Sequence, residues 1–507
     1  MFADSMIHSL GQRYLKTYSQ YMSTGHKDLL EKQESNFRSL KRSLSGTRLY
    51  KDLRLSHIHN YDEYIQHVPV WNYDDYAPYV DMIAAGHENI LFKDEVEHFG
   101  LSSGTSGKDS KRVPYNEKMI RMFLKSQKRI ASRLSELEPD INFLKVARLT
   151  FGSDPYVYSQ NGFKFGYISG ILSTRIPKAL KRNTYPSQEV LTISNWDKKI
   201  DMLIEESLKQ DIHVVSGIPT YIISIFEAIL EKTGEENIAA IWPNLKVFVY
   251  AATPIKQYQE RIDRLVGHEL NYYGVYAATE AAVGLPYEKY QNGRQRYFLN
   301  PDLVYSFTPV EGAKVQLGLK DIKMGVSYYI NIGAPNGFIH YAMKDVISFE
   351  KCNGDLVFEF VGRKSTGMNL AAEKVSDDEI LDCYLNAKNT NNVDLRHFFL
   401  SPTLGDDGKA SYLWTLFVPP NTAVNEEALA QALDKKMMEL NGDYSDCREV
   451  GVLGPAKVTI INADRLQSYF EQNRSRGQFK LKTTFETAEE YLRFLSQNID
   501  NAQGVLQ

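Results

Sequence analysis

The sequence contains few cysteines: three among 507 residues, and no two of them form a CxxC pair. Cys352, Cys383 and Cys447 are therefore not expected to build a disulfide framework or a structural zinc site. The histidines do not replace them as metal ligands, because His57 and His59 form only an isolated H-x-H pattern. These features favour reduced cysteines in a cytoplasmic protein.

Long apolar runs and an excess of one charge are also missing. No stretch approaches the ~20 apolar residues of a membrane span, and residues 1–20 lack the order of a signal peptide. The formal net charge is −4 at pH 7, which gives no reason to expect a nucleic-acid or membrane partner. We expect a cytoplasmic protein that is a monomer or a weak dimer.

Strand-like and helix-like segments alternate through the middle of the sequence. IHVVSG (212–217) and ELNYYGVYA (269–277) have the apolar character of buried strands, and helical periodicity occupies the segments between them. This alternation predicts an α/β fold with a largely parallel sheet. Residues 296–362 consist of short aromatic and β-branched runs, which predict a β-rich subdomain.

A hinge is predicted where this β-rich region ends. The segment GRKSTG (362–367) is polar and contains two glycines, which is typical of a segment between moving domains. Beyond it, helices and strands are mixed. We therefore predict a large N-terminal α/β domain over 1–362 and a smaller, mobile C-terminal α+β domain over 363–507.

The stretch FGLSSGTSGKDSKRVPY (99–115) combines glycines, hydroxyl side chains and positive charge. Small residues let backbone N–H groups approach an anion, and hydroxyls and lysines add donors. It is not a Walker A loop, because Ser102 stands at the first glycine position and Asp109 at the serine or threonine position. The stretch alone predicts a phosphate-binding loop and an exposed connecting loop equally well.

Four further segments accompany this stretch. They are YAATE (276–280), YAMKD (341–345), VGRKSTGMNLAAEKVSDDE (361–379) and GQFKLK (477–482). Together with SSGTSG (102–107), and in the same order, they resemble the motifs of the GH3 acyl acid amido synthetases of plants and their bacterial relatives. The resemblance covers most of the chain and implies the fold of the adenylate-forming enzymes.

The resemblance implies a reaction in two steps. A carboxylic acid attacks the α-phosphate of ATP, which forms an acyl adenylate and releases pyrophosphate. An amine, expected to be an amino acid, then attacks the activated carbonyl and releases AMP. ATP and Mg²⁺ are the implied cofactors, and a small carboxylic acid and an amine are the implied partners.

The same resemblance implies which residues bind the phosphates of ATP. The β- and γ-phosphates would be surrounded by Ser102, Ser103, Gly104, Thr105, Ser106 and Gly107. Lys111 matches the lysine of the loop one residue beyond the commonest spacing, and Lys108 is the alternative. Thr279 would offer its hydroxyl to the α-phosphate, and Glu280 would bind Mg²⁺, which prefers oxygen ligands.

Further residues are implied for the nucleoside and for catalysis. Ala251, Ala252 and Thr253, at the end of a buried strand, would lie along the adenine with the ring of Tyr276. Asp345 would bind the ribose hydroxyls, and Arg363 of the hinge would also contact ATP. Lys480 would enter the active site on domain closure, hold the carboxylate and α-phosphate, and act with Thr279 and Glu280 as a catalytic residue. Lys482 is its alternative, and a solvated basic surface is the other interpretation of this charge run.

The acyl pocket is predicted at two apolar segments, 167–171 and 216–224. Its candidate residues are Tyr167, Ser169, Ile218, Pro219 and Tyr221. Their aromatic and aliphatic character predicts a mostly apolar acid, aromatic or fatty. The same residues are equally compatible with a hydrophobic core.

Three functions stay open from the sequence. Ala372 stands where acyl-CoA and carrier-loading ligases usually carry a glycine that lets the pantetheine arm pass, which favours an amine acceptor. The alternatives are an acyl-CoA or carrier-protein-loading ligase with the same first step, and a nucleotide-binding scaffold without turnover. A hydrolase is not favoured by this set of motifs.

Overall fold

A computed structural model describes most of the chain. The described residues are 26–102, 111–152, 155–176, 178–193, 195–256, 258–312, 314–363, 368, 370–371, 373, 375–405, 409–474 and 481–499. The chain forms two compact units that divide between Phe360 and Val361. This division lies near the predicted boundary at residue 362, and the roles of the two domains stay predictions.

The helices of the N-terminal unit mostly begin at residues that cap their first backbone N–H groups. Asn72 forms a capping box with Asp75, and Pro219 opens a helix that ends at Gly234 in the left-handed conformation (φ 72°). The helices are α1 (His26–Leu44), α2 (Arg48–Asp52), α3 (Tyr61–His67), α4 (Tyr73–Ala84), α5 (Glu117–Leu137), α6 (Ile168–Thr174), α7 (Lys178–Lys181), α8 (Gln188–Leu191), α9 (Trp196–Ser207), α10 (Pro219–Thr233) and α11 (Gln259–Val266). Short 3₁₀ turns lie at Leu55–His57 and Ile238–Ala240.

The strands of this unit form two sheets. They are β1 (His98–Leu101), β2 (Arg112–Tyr115), β3 (Ala147–Thr150), β4 (Tyr158–Gln160), β5 (Phe163–Gly166), β6 (Thr184–Tyr185), β7 (Ile212–Gly217), β8 (Val247–Ala251), β9 (Asn271–Ala277), β10 (Ala282–Pro286), β11 (Arg296–Leu299), β12 (Val304–Pro309), β13 (Ser327–Gly333), β14 (Tyr341–Cys352) and β15 (Asp355–Arg363). The large sheet has the order β12-β13-β14-β15-β11-β10-β9-β8-β7-β3-β6, and the small one has the order β2-β1-β5-β4.

The large sheet has a parallel and an antiparallel part. Strands β6, β3, β7, β8 and β9 run parallel, whereas β10, β11, β12 and β13 pair with their neighbours in antiparallel fashion. Strands β7 and β8 are mostly apolar, as is typical of parallel strands that helices cover on both faces. The predicted α/β fold class with a β-rich subdomain is confirmed.

The C-terminal unit is a smaller α+β structure. Its sheet has the order β16 (His397–Leu404), β17 (Ala410–Val418) and β18 (Lys457–Asn462). Its helices are α12 (Asp377–Asn391), α13 (Glu426–Leu440), α14 (Gly442–Glu449), α15 (Gln467–Arg474) and α16 (Ala488–Asn498), with a 3₁₀ turn at Ala463–Leu466. Buried rings such as Phe399 and Trp414 fill the space between sheet and helices.

A buried carboxylate organises the segment that precedes α12. Glu373 is fully buried and accepts hydrogen bonds from the backbone N–H groups of Leu370 and Ala371, both at 2.6 Å. The hydroxyl of Tyr412 donates a third hydrogen bond to it. Burial of Tyr412 and its contact with this carboxylate raise the pKa of the phenol well above its usual range.

Within the described parts of both units, no helix has the length and apolar character needed to cross a membrane.

Candidate active site

The YAATE and YAMKD motifs meet in the N-terminal unit. Tyr276 lies near the end of β9, and Thr279 and Glu280 follow in the turn before β10, while Tyr341 and Asp345 belong to the first half of β14. The hydroxyl of Tyr276 donates to Oδ2 of Asp345. The hydroxyl of Tyr341 donates to Oε1 of Glu280 at 2.7 Å.

Each motif therefore supplies the tyrosine that holds the carboxylate of the other motif. Asp345 and Glu280 are only 5% and 6% exposed, and buried carboxylates need such donors. Edge-on packing against Tyr297, Phe358 and Phe360 surrounds the ring of Tyr276. The crossed pairs fix the two carboxylates relative to each other, as a site that binds two parts of one ligand requires.

Lys111 lies beside Glu280. Its Nζ is 3.5 Å from Oε1 of Glu280 and 3.2 Å from the hydroxyl of Tyr341. The ammonium also lies over the rings of Tyr73 and Tyr341, at 5.5 and 5.9 Å from their centroids. Of the two candidate lysines of the loop, Lys111 is thus described next to the carboxylate, and Lys108 lies outside the described residues.

The two ends of the glycine-rich stretch are joined at its base. The N–H of Ser102 donates to the carbonyl of Lys111 and the N–H of Lys111 donates to Oγ of Ser102, both at 3.0 Å. Strands β1 and β2 continue this pairing as an antiparallel ladder from Leu101 and Arg112 to His98 and Tyr115. Residues 103–107 of the predicted phosphate loop lie outside the described residues.

Tyr115 connects this hairpin to the YAATE motif. It is fully buried, and its hydroxyl donates to the carbonyl oxygen of Thr279 at 2.6 Å. Burial, with a smaller effect of Glu280, raises the pKa of this phenol well above its ordinary value. A Cβ on Gly100 would lie 2.3 Å from the same hydroxyl, so this glycine makes room for the tyrosine. Sequence reasoning missed Tyr115, and the one available signal was a glycine inside an otherwise apolar strand.

The predicted adenine segment follows β8, next to β9. Ala251 pairs with Val275, one residue before Tyr276. Ala252 has a left-handed backbone (φ 75°), which is unusual for a residue with a side chain and is found more often at functional sites. The buried hydroxyl of Thr253 has no hydrogen-bond partner among the described residues, so a donor or acceptor remains for a ligand there.

The two predicted acyl-binding segments meet at Phe151 and Gly152. A Cβ on Gly152 would lie 3.5 Å from the carbonyl oxygen of Ser169, and one on Gly217 would lie 3.3 Å from that of Phe151. Ring centroids of Phe151, Trp196 and Tyr221 are 5.7 Å apart in each pair. Tyr167 and Pro219 are also buried, and Ser169 and Ile218 are partly buried. Their role in binding an acid stays a prediction.

The remaining predicted residues concern the hinge and the C-terminal unit. Lys480 and Ala372 lie outside the described residues, as does the side chain of Arg363 at the end of β15. Lys482 forms an ion pair with Glu490 and lies 5.3 Å from the ring centroid of Phe485.

A magnesium ion is compatible with the residues that are described. Among them, no group of three or more histidine, cysteine, aspartate or glutamate side chains could hold a metal ion. Mg²⁺ in nucleotide sites, however, is bound through one or two carboxylates and the substrate phosphates, with water completing its shell. Glu280 offers such a carboxylate, and the ammonium of Lys111 already lies against it.

Lys344, which precedes Asp345 in the YAMKD motif, has an unusual backbone conformation. Its φ is 62°, and the pairing of β13 with β14 is irregular between Tyr329 and Asn331. A residue with a side chain is strained in this left-handed conformation, whereas glycine is not. The side chain of Lys344 is exposed.

We expect Lys344→Gly to increase the free energy of unfolding by up to about 1 kcal/mol, because it relieves this strain. Lys351→Gly is the matched control, since Lys351 is also an exposed lysine of β14. It should lower the free energy of unfolding by about 1 kcal/mol, because glycine loses more conformational freedom on folding. Urea unfolding of both variants measures the difference. Equal destabilisation by both would show that no strain is stored at Lys344.

Comparison with known proteins identifies related families and sequences. The GH3 family N-terminal domain matches residues 20–205 and the GH3 family C-terminal domain matches residues 383–489. A 4-substituted benzoates-glutamate ligase GH3.12 of Arabidopsis thaliana is 20% identical to the chain, over 82% of this chain and 86% of its own length. An indole-3-acetic acid-amido synthetase GH3.3 of the same plant is 23% identical, over 49% of this chain and 44% of its own length.

Solved structures extend the comparison to the fold. The AtGH3.15 acyl acid amido synthetase, in complex with 2,4-DB, superposes with a TM-score of 0.80 at 16% identity and covers 96% of both chains. A 2-hydroxyisobutyryl-CoA ligase in its postadenylation state has a TM-score of 0.62 at 12% identity, covering 93% of this chain and 91% of its own. The fold is that of the adenylate-forming enzymes, and with both family domains matched in order along its sequence, the chain belongs to the GH3 family.

Proposed function

We propose that the protein is an ATP-dependent ligase that joins a carboxylic acid to an amine, expected to be an amino acid. It would first form an acyl adenylate with release of pyrophosphate, and then an amide with release of AMP. The observation that carries the proposal is the pair of buried carboxylates, Glu280 and Asp345, each held by the tyrosine of the other motif beside Lys111.

The arrangement supports an assignment of different residues to the ribose, the adenine and the phosphates of one ATP molecule. Asp345 would accept hydrogen bonds from the ribose hydroxyls, and the ring of Tyr276 would lie against the adenine. Lys111 and the loop that begins at Ser102 would bind the phosphates. Catalysis of this kind depends on positioning and on stabilising charge that develops on phosphate oxygens, not on a covalent intermediate with the protein.

Mg²⁺ would be held by Glu280 and the phosphates, where it supplies neutralisation of their negative charge. Thr279 lies in the same turn as Glu280 and would direct its hydroxyl to the α-phosphate. Lys480 of the C-terminal domain would complete the site for the first step.

The aromatic cluster supports a choice of acid. Phe151, Trp196 and Tyr221 pack within 5.7 Å of one another, beside both predicted acyl-binding segments. Such a lining favours an aromatic or fatty acid over a small polar one. The names of the two relatives, a 4-substituted benzoates-glutamate ligase and an indole-3-acetic acid-amido synthetase, refer to aromatic acids, which supports the same choice.

The proposal is tested by ATP–pyrophosphate exchange with a panel of substituted benzoates, indole acids and straight-chain fatty acids. We expect at least one apolar acid to stimulate exchange, and Glu280→Gln to reduce it at least 10-fold because the charge for the metal is lost. Glu236→Gln makes the same change at an exposed glutamate and should leave the rate unchanged.

Product analysis then tests the second half-reaction. Mass spectrometry of reactions with an amino-acid mixture, and separately with coenzyme A, should detect an acyl amide. An acyl-CoA product without an amide would contradict the proposed acceptor. Absence of exchange with every acid of the panel would contradict the ligase itself.

A further inference from the structure

Lys111 has a partner that a phosphate-binding lysine does not need. Its ammonium lies 3.5 Å from Oε1 of Glu280, within a cage completed by the hydroxyl of Tyr341 and the rings of Tyr73 and Tyr341. The side chain of Glu280 is 8% exposed and that of Lys111 is 35% exposed. The ammonium of Lys111 therefore compensates the negative charge of a carboxylate that is largely removed from water.

Both contacts of Glu280 fall on one oxygen. Oε1 accepts the hydroxyl of Tyr341 at 2.7 Å and is also the atom nearest to the ammonium of Lys111. A metal ion bound to this carboxylate would share it with a second cation a few ångströms away, and like charges repel at such distances. Lys111 and a metal ion are therefore alternative partners of Glu280.

Tyr341 holds the carboxylate in place for either partner. It is 1% exposed, stacks on Phe338 at 4.8 Å, and forms a backbone bridge with Trp71. A hydroxyl anchored in this way fixes the orientation of Glu280 while the cation changes. Tyr341 is thus a positioning residue.

The backbone of Lys111 is anchored independently of its side chain. Two hydrogen bonds join it to Ser102, both at 3.0 Å, and β2 begins at the next residue. The four-carbon stem of lysine lets the ammonium move by several ångströms through rotation of its own bonds. Lys111 ends the stretch that is predicted to bind phosphate, so its ammonium is a candidate partner for phosphate as well as for Glu280.

We propose that Lys111 exchanges partners when metal and nucleotide bind: its ammonium leaves Glu280 for the phosphates, which removes a competing positive charge from the carboxylate that would bind the metal ion. The inference rests on the proposed function and deepens it. Lys111 opposes metal binding in the absence of nucleotide and supports nucleotide binding, so that metal and nucleotide bind cooperatively.

The test is a titration with Mn²⁺, a paramagnetic substitute for Mg²⁺, in which electron paramagnetic resonance measures the free metal. Without nucleotide, Lys111→Met should bind Mn²⁺ at least 5-fold more tightly than the wild-type protein, because the competing cation is gone. In the presence of metal, the same variant should bind ATP at least 10-fold more weakly. A loss of fold alone would weaken both.

Two controls separate the exchange from a general change in charge. Lys118→Met removes a lysine that pairs with Asp94 at 2.8 Å, away from Glu280, and should leave Mn²⁺ binding unchanged. Glu280→Gln combined with Lys111→Met should abolish the gain in affinity. Lys111→Gln should reproduce that gain if Lys111→Met fails to fold.

Unchanged, weaker or undetectable Mn²⁺ binding in folded Lys111 variants would contradict the proposed change of partner by Lys111. Such a result together with acid-dependent pyrophosphate exchange by the wild-type protein would leave the proposed function standing. Conversely, Lys111→Met could bind Mn²⁺ more tightly in a protein that activates no acid. That result would support the change of partner by Lys111 and contradict the proposed ligase function.

Discussion

Gly100→Ala is expected to reduce ATP–pyrophosphate exchange at least 100-fold and to lower the free energy of unfolding by about 3 kcal/mol. A Cβ at this position would lie 2.3 Å from the hydroxyl oxygen of Tyr115 and 2.4 Å from its Cζ. Tyr115 is fully buried and cannot turn aside without losing its hydrogen bond to Thr279. The displaced ring would move the turn that carries Thr279 and Glu280.

Gly442→Ala is the matched control, because a Cβ there meets no atom within 4 Å. It should change stability by less than about 0.5 kcal/mol and leave exchange unaffected. Tyr115→Leu, alone and with Gly100→Ala, completes a double-mutant cycle. Since leucine leaves room for the new methyl group, the double variant should be at least 1 kcal/mol more stable than additivity predicts. Additive losses would show that the clash with Tyr115 is not the cause.

The parallel part of the sheet was predictable because its strands carry their own signal. Segments 212–217 and 269–277 have the apolar composition of strands covered on both faces, and the structure has β7 and β9 there. The aromatic and β-branched character of 296–362 likewise predicted a β-rich subdomain, and the structure has antiparallel strands there. These are local sequence patterns, which determine the type of secondary structure more than they determine the tertiary contacts between side chains.

The crossed tyrosine–carboxylate pairs could not be predicted from the motifs. Tyr276 and Asp345 are 69 residues apart in sequence, and Tyr341 and Glu280 are 61 residues apart. Strands β9 and β14 are not neighbours in the sheet, since β15, β11 and β10 lie between them. Only tertiary packing determines that each tyrosine meets the carboxylate of the other motif instead of the one in its own.

Two other residues show the same limit. Glu373 stands in the hinge motif as one acidic residue among several, and its three hydrogen bonds depend on the backbone turn around Leu370 and on Tyr412 from β17. Lys344 belongs to the YAMKD motif, but its left-handed backbone occurs where the pairing of β13 and β14 is irregular. In both cases the sequence shows which residue is present, but only the structure shows the contacts or backbone conformation that explain its role.

Acidification from pH 7.5 to pH 5 is expected to lower the free energy of unfolding by about 4 kcal/mol, through His98 and His340. Burial, together with the smaller effects of the positive charges of Arg175 and Lys164, lowers the pKa of His98 to about 4. Burial likewise lowers the pKa of His340 to about 4, against a smaller opposing effect of the carbonyl of Val68. Both imidazoles are therefore neutral in the folded protein at pH 5.

The direction of the effect follows from proton binding. An unfolded histidine has a pKa near 6.5, so that between pH 6.5 and pH 4 the unfolded chain binds more protons than the folded one. Stability is therefore fully present above pH 6.5 and is lost as the pH falls toward 4. At pH 5, the two pKa values give about 2 kcal/mol for each histidine.

His98→Phe separates the two contributions. Neither ring nitrogen of His98 has a hydrogen-bond partner among the described residues, and the ring stacks on Tyr156 at 5.8 Å, which phenylalanine can preserve. Urea unfolding followed by tryptophan fluorescence at pH 7.5 and pH 5 should show about half of the wild-type loss. His57→Phe replaces an exposed histidine and should retain the full loss.

The position of His98 connects this loss to the active site. It begins β1, the strand that contains Gly100 and leads into the glycine-rich stretch, so that protonation destabilises the hairpin that supports Lys111. Pyrophosphate exchange should therefore decline over the same pH range as stability and decline less in His98→Phe. If His98→Phe lost as much stability at pH 5 as the wild-type protein, titration of this histidine would not be the cause of its acid sensitivity.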